Sequence, residues 1–368
     1  MGNKKVAFVS NNFWTLYKFR YDIIHEIIKM GYSVHLIASR DKFCDKFTHN
    51  NIKKHFISLK PRGTFILSEI HTMYDLYRIY RKIKPDLIYH FTIKPNIYGS
   101  YVANLLNLKS ISFITGLGHL FIKKSLMQRI AIFLYRKSLK NTLEVWFTNK
   151  NDLNLFLNEN IIDDKITRIV PGAGIKEPKK QSIQKESDII NFTMISRIQR
   201  EKGISEFLDV ARKFKSNKNI NFNLLGHYDK SDPSSIPLDI FESYIQDDSI
   251  IYHGYQDNIT QYLNNTDCLI HPSYREGIST VLLESAINKK LIITTKVPGC
   301  IDVIPDSQYG ILCDPKSSES LHDAINKYLK LNNRDKEIIT NNAYNYVLKN
   351  FNREAIINQF KNSLQYIL

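Results

Sequence analysis

Two α/β domains, each a parallel β-sheet flanked by helices, are what this 368-residue sequence predicts, and three observations carry the prediction. Short apolar runs alternate with helical stretches along the whole chain, the pattern of strands joined by helical crossovers. The length exceeds one ordinary domain and suggests about two. Between residues 174 and 188 the alternation stops, because 176–187 reads KEPKKQSIQKES, polar and without an apolar run. A content of 43% hydrophobic and 12% aromatic residues supplies cores to both halves, which excludes a disordered chain.

In chain order, strands are predicted at 6–10 (VAFVS), 33–39 (SVHLIAS), 86–91 (DLIYHF), 110–114 (SISFI) and 144–148 (EVWFT), with helices between them such as 19–30 and 68–83. Beyond the polar junction a second set follows at 190–196, 220–226, 250–255, 267–273, 291–296 and 310–314. The two sets read as Rossmann-like domains over 1–175 and 189–345, and 341–368 reads as helix. No repeat of 20–50 residues is evident. In open α/β sheets ligands bind beyond the carboxyl ends of the strands, so the turns after strands are where site residues are sought.

The net charge of +15 is unevenly placed. Residues 1–180 hold 30 Lys+Arg against 13 Asp+Glu, a balance of +17, while 181–368 hold 21 against 23, a balance of −2. A basic surface meets anions such as nucleic acid, anionic lipid headgroups or a phosphorylated substrate. The abundance of Lys, Asn and Ile also fits an AT-rich coding bias, which leaves that reading open. Residues 120–141 are helical in period and mix apolar residues with Lys123, Lys124, Arg129, Arg136, Lys137 and Lys140. Such a helix lies either in a membrane interface or on the sheet with a solvated basic face.

The cysteines Cys44, Cys268, Cys300 and Cys313 form no C-x-x-C pair and read as reduced, packed thiols of a cytosolic protein. The first residues pass into a strand without the pattern of a signal peptide, and Val6 stands where a myristoylated chain has Ser or Thr. No run of eighteen apolar residues exists, so no spanning helix is expected.

The most telling segment is 271–304, HPSYREGISTVLLESAINKKLIITTKVPGCIDVI. It places Glu276 and Glu284 eight residues apart across a loop-to-helix junction. With the helix beginning near Ser279, Glu276 lies in the preceding loop and Glu284 about a turn and a half inside. Amides at the helix start face anionic oxygens between them. Upstream, 194–208 (MISRIQREKGISEFL) sets Arg197 and Lys202 after an apolar strand. The glutamate spacing suits one diphosphate-bearing ligand held at two places, and no D-x-D sequence occurs in the chain.

The glutamate spacing resembles the E-x7-E signature of retaining glycosyltransferases, and residues 191–312 resemble glycosyltransferase family 4 in residue types and order. The stretches 90–100 (HFTIKPNIYGS) and 114–118 (ITGLG) look like members that build bacterial surface polysaccharides, O-antigen or capsule, on lipid carriers. The resemblance implies the GT-B fold, two Rossmann-like domains facing a central cleft, with the acceptor on the first domain, the nucleotide sugar on the second, and 346–368 crossing back to the first. It implies that Arg197 and Lys202 hold the donor diphosphate, with the amides of Gly277, Ile278, Ser279 and Thr280. Glu284 would bond the ribose, an acceptor-only carboxylate facing a diol. Glu276 would meet the transferred sugar, the alternative being a cap on the helix that follows. Tyr255 and Gln256 are candidates for the base pocket.

On the acceptor side, with Asn12, Lys94, Asn96, Thr115 and His119 as candidates, His90 is a candidate catalytic residue that ends a strand at the cleft edge and is followed by Thr92, Lys94 and Asn96 in a loop that suits a hydroxyl or pyrophosphate; a polar strand cap is the other reading of His90. Many members carry a His after the next strand, where this chain has Thr115, with His119 four residues on. Members with a Gly-Gly loop after the first strand differ from this chain, which has Asn11, Asn12 and Phe13 there. The implied partners are a nucleotide sugar, a UDP-sugar, a lipid-linked saccharide and an anionic membrane surface met by the basic half on the cytoplasmic face, with no cofactor, no metal and no nucleic acid. The alternatives are a transferase with a soluble acceptor, a nucleotide-sugar epimerase of the same fold, and a basic RNA-binding protein. The last leaves the glutamate pair unexplained and lacks the aromatic-basic motifs of the known modules.

Overall fold

A computed structural model describes residues 4–59, 66–118, 121, 125–178 and 188–368. The chain divides into two compact units, one of residues 1–173 with 353–368 and the other of residues 174–352.

In the first unit the strands are β1 (Lys5–Asn12), β2 (Ser33–Ser39), β3 (Ile52–Phe56), β4 (Leu87–Phe91), β5 (Ser110–Ile114), β6 (Glu144–Phe147) and β7 (Thr167–Ile169). They form a parallel sheet in the order β3-β2-β1-β4-β5-β6-β7. β4 and β5 are buried at every residue, which is why they read as continuous rather than alternating runs. The helices are α1 (Phe13–Lys29), α2 (Ile66–Ile83), α3 (Ser100–Leu105), α4 (Leu126–Ser138) and α5 (Lys150–Asn158).

Three expectations change here. β3 and β7 were not expected; both are edge strands, and β3 carries exposed Lys53 and Lys54 in place of an apolar run. α1 starts at Phe13 rather than 19, because the Asn12 side chain accepts from Thr15 N at 3.0 Å and caps it. α4 starts at Leu126 rather than 120, capped by Ser125, whose Oγ accepts from Gln128 N at 3.1 Å. Of the basic residues expected on that helix, Lys123 and Lys124 lie outside the described residues.

The second unit pairs β8 (Ile190–Ile195), β9 (Ile220–Leu225), β10 (Ile251–Tyr252), β11 (Cys268–His271), β12 (Leu291–Thr295) and β13 (Ile311–Cys313) in the parallel order β10-β9-β8-β11-β12-β13. Its helices are α6 (Ile204–Phe214), α7 (Leu238–Gln246), α8 (Thr260–Asn264), α9 (Thr280–Ile287), α10 (Ser318–Lys330) and α11 (Asn333–Asn350). The stretch expected as one helix from 341 onward is two. The chain breaks at Phe351 and Asn352, where Asn352 bridges to Ile175 and Ile175 N donates to Phe351 O at 2.8 Å.

After that break α12 (Arg353–Ile367) belongs to the first unit. Its Phe360 sits 4.8 Å from the Trp146 ring and 5.2 Å from Tyr89, centroid to centroid, in a cluster with Phe91 and Phe113. Burying one such ring stabilises by about 1.5–3 kcal/mol, so the cluster fastens α12 firmly. All four cysteines are free and buried.

Strand order reverses at two places, between β1 and β4 and between β8 and β11. At such reversals the turns after neighbouring strands diverge to opposite faces and leave a crevice for a ligand.

Candidate active site

The turns that follow β8 and β11 carry the residues singled out in the second half. β8 and β11 are paired, Cys268 with Phe192 and Leu269 with Thr193. After β8 the chain passes Arg197, makes one short turn over Arg200–Lys202 and enters α6 through Gly203 at φ +75°. A Cβ at Gly203 would stand 2.1 Å from the Pro272 carbonyl oxygen, so the two turns lie backbone against backbone. Tyr274 N donates to Glu201 O at 2.9 Å and Tyr274 Oη to Glu206 Oε1 at 2.6 Å, fastening the second turn to the first. From the other side Glu276 N donates to Pro298 O at 3.1 Å, beside Gly299.

This packing joins residues 74 positions apart. Lys202 Nζ lies 2.6 Å from Glu276 Oε1, with only 16% and 14% of the two side chains accessible. His271, the last residue of β11, brings Nε2 to 3.1 Å from the same oxygen and 3.2 Å from Ser279 Oγ. Burial by itself would raise the Glu276 carboxyl, but the Lys202 charge and the His271 hydrogen bond outweigh it and hold the group well below the usual carboxylate range. The carboxylate is therefore a paired anion and not the cap of α9; Ser279 occupies the N-cap position.

Gly277, Ile278 and Thr280 are half-buried beside Ser279, which is buried, at the start of α9. Glu284 is half-buried in that helix, and its backbone carbonyl accepts from Asn288 Nδ2 at 2.7 Å. Arg197 is exposed on the turn after β8. Tyr255, 49% exposed, and Gln256, whose Nε2 donates to His253 O at 2.7 Å, follow β10 at the sheet edge, two strands from β8.

In the first unit the expected acceptor residues behave differently. His90 is fully buried: Nε2 lies 2.9 Å from Tyr80 Oη and Nδ1 3.1 Å from Ser100 Oγ. Burial pushes its pKa down to about 3, so the ring is neutral and enclosed. Gly99 closes the enclosure, since a Cβ there would meet the imidazole at 2.5 Å. Asn96 is also buried, donating through Nδ2 to Phe113 O at 2.9 Å, while its Oδ1 has no partner among the described residues. Lys94 is paired with Glu69 at 2.5 Å. Asn12 caps α1, its Oδ1 accepting from Thr15 N at 3.0 Å and from Thr15 Oγ1 at 2.6 Å. Thr115 is half-buried just past β5, and His119 lies outside the described residues. Thr92 takes φ +70° in the turn after β4, a strained conformation for a β-branched residue at the reversal of strand order.

The residue that sequence reasoning passed over is His271. As a polar residue ending an otherwise apolar strand at a carboxyl edge, it carried the same signal as His90, but the strand pattern absorbed it.

Comparison with known proteins bears on the family and the fold. The family described as glycosyl transferases group 1 matches residues 175–345, and that described as glycosyl transferase 4-like matches residues 5–149. The N,N'-diacetylbacillosaminyl-diphospho-undecaprenol alpha-1,3-N-acetylgalactosaminyltransferase of Campylobacter jejuni is 24% identical over 344 residues, 89% of this chain and 89% of its own. Among solved structures, the sucrose-phosphate synthase of Thermosynechococcus elongatus superposes with a TM-score of 0.82 at 16% identity, covering 99% of each chain. Anabaena HepE in complex with UDP-glucose gives 0.78 at 15% identity over 98% of this chain and 99% of its own. With a 4-like half, a group 1 half and two parallel sheets of GT-B type, the chain belongs to the glycosyltransferases of family 4 kind.

Proposed function

We propose that this chain transfers one sugar, with its anomeric configuration retained, from a UDP-sugar to a lipid-linked saccharide during assembly of a bacterial surface glycan such as O-antigen or capsule. The observation that carries the reading is the Lys202–Glu276–His271 cluster at the reversal of strand order, with Glu284 further along α9. Lys202 and Arg197 meet the departing diphosphate, assisted by amides from Gly277 to Thr280. Glu284 bonds the ribose hydroxyls, and Glu276 faces the transferred sugar and its developing positive charge. No metal is needed, because the cations on the β8 turn supply the charge that a bound ion would. The UDP-glucose named with HepE supports the donor class, and the diphospho-undecaprenol in the Campylobacter relative's name supports the acceptor class.

The test is transfer by the purified full chain from a panel of UDP-, GDP- and ADP-sugars to short polyprenyl-diphosphate-linked saccharides, with and without EDTA. The expected result is one UDP-sugar consumed only when acceptor is present, a product anomer matching the donor, and no loss of rate with EDTA. Inversion, metal dependence, or donor turnover without acceptor would each overturn the corresponding part.

The reading includes attachment to the inner face of the cytoplasmic membrane through α4. Leu126, Met127, Ile130 and Phe133 are exposed on that helix at spacings that share one face, with Arg129, Arg136 and Lys137 beside them. No described helix is long and apolar enough to cross a membrane. An apolar face with flanking cations seats at an anionic lipid surface. Flotation with anionic vesicles should therefore fall at least about tenfold in an Ile130→Glu/Phe133→Glu double variant. Equal flotation of wild type and variant would remove α4 from this role.

A further inference from the structure

The ion pair between Lys202 and Glu276 raises a question that the site's own chemistry poses. If Lys202 turns to a diphosphate, the Glu276 carboxylate, only 14% accessible, loses its cation. A buried charge stripped of its partner is costly, and the groups left around it decide whether it stays ionised and in place. Three groups on neighbouring elements face it: Lys202 from the turn after β8, His271 at the end of β11, and the Cys300 thiol from the turn after β12. Burial, with the charge of Glu276 adding to it, pushes the Cys300 thiol up to about 12, so it remains neutral and offers no cation. Ser279 shares the His271 nitrogen.

His271 is 3% exposed and hydrogen-bonded on one side only. Its Nε2 addresses Glu276 and Ser279, and Nδ1 is buried with no partner among the described residues. A carboxylate only accepts, so the nitrogen facing it carries the proton. The geometry thus places a hydrogen on Nε2, the nitrogen that faces the carboxylate.

We infer that His271 is a positioning residue for Glu276: it donates from Nε2 to the carboxylate, fixes its orientation, and stays as its partner when a diphosphate draws Lys202 away. The inference rests on the reading of the site proposed above, and its test is arranged to separate the two.

Three variants of the full chain are compared with the wild type. His271→Gln keeps an N–H at similar reach, His271→Phe keeps a ring and removes the N–H, and His271→Asn, whose shorter amide does not reach Glu276, replaces the Phe variant if that does not fold. Thermal unfolding is followed from pH 3 to pH 8, with and without UDP. A carboxylate whose folded pKa is depressed adds stability above its unfolded pKa and loses it as pH falls through the folded value. His271→Phe should therefore begin to lose stability at a pH about one unit higher than wild type, and UDP should widen that gap, while His271→Gln follows wild type. In transfer assays the acid limb of kcat/KM should move by the same unit, about tenfold in rate at a fixed pH on the limb. Coincident acid limbs in all variants would overturn the inference, as would an equal loss in Phe and Gln variants at every pH, which marks packing alone. If no nucleotide sugar is turned over, the proposed activity fails, yet the unfolding series still decides the role of His271.

Discussion

Lys202→Ala is expected to lower transfer by about 10³-fold, the scale of losing one preorganised charge at a developing anion, and Glu276→Ala by a similar factor. The alanine at 202 should also cost about 3 kcal/mol of stability, because it leaves the Glu276 carboxylate largely buried without its cation. A Lys202→Met/Glu276→Gln double variant separates the effects. It removes both charges together, so urea unfolding should show most of the stability recovered while transfer stays lost. The pH dependence follows from the depressed carboxyl of Glu276. Its contribution is fully present above the unfolded value of about 4.3 and is lost as pH falls through the depressed folded value, so the stability gap between wild type and Lys202→Met should begin to narrow below about pH 4 and go on narrowing as the pH is lowered further. Wild-type turnover in either single variant would remove both residues from the reaction.

Gly203→Ala should be the most damaging change of a single methyl group. The new Cβ would lie 2.1 Å from Pro272 O and 2.7 Å from its carbonyl carbon, both backbone atoms, so no side chain can swing aside to relieve the contact. The left-handed φ of +75° adds about 1–2 kcal/mol for any Cβ. Together the expected loss exceeds about 4 kcal/mol, and transfer falls with it, because the turn carrying Lys202 must move off the turn carrying Glu276. Gly31→Ala is the control. Gly31 has φ +90°, but an added Cβ would meet no described residue within 4 Å, so the change should cost only the dihedral strain of about 1–2 kcal/mol in the same urea titration. Equal losses at 203 and 31 would show that the two turns are less tightly opposed than described.

The central strands were legible because burial on both faces writes itself as an unbroken apolar run, as in LIYHF and SISFI. β3 and β7 were not, since an edge strand needs no such run, and IKKHF reads as surface. The order of elements also placed Lys202 and Glu276 after strands, where site residues belong. Their salt bridge was beyond reach, because it depends on two turns in van der Waals contact 74 residues apart, a fact that no local pattern encodes. His90 shows the same limit. Its place at a strand end suggested access, but the π-helical turn over Pro95–Gly99 and the Tyr80 hydroxyl fold over it. Opposite treatment of two strand-end histidines, one walled in and one beside a carboxylate, came from what packs above each, not from its own neighbours in sequence.

The paired strands of backbone at Ile175 and Phe351–Asn352 have a consequence for engineering. Residues 174–352 enter and leave the first unit through adjacent points, with Arg353 Nη1 donating to Ala173 O across the gap. The second unit is thus topologically an insert with neighbouring ends. It could be excised whole, the breach at 173 and 353 spliced with a short linker at little loop-closure cost, and a cognate half from another transferase grafted in its place.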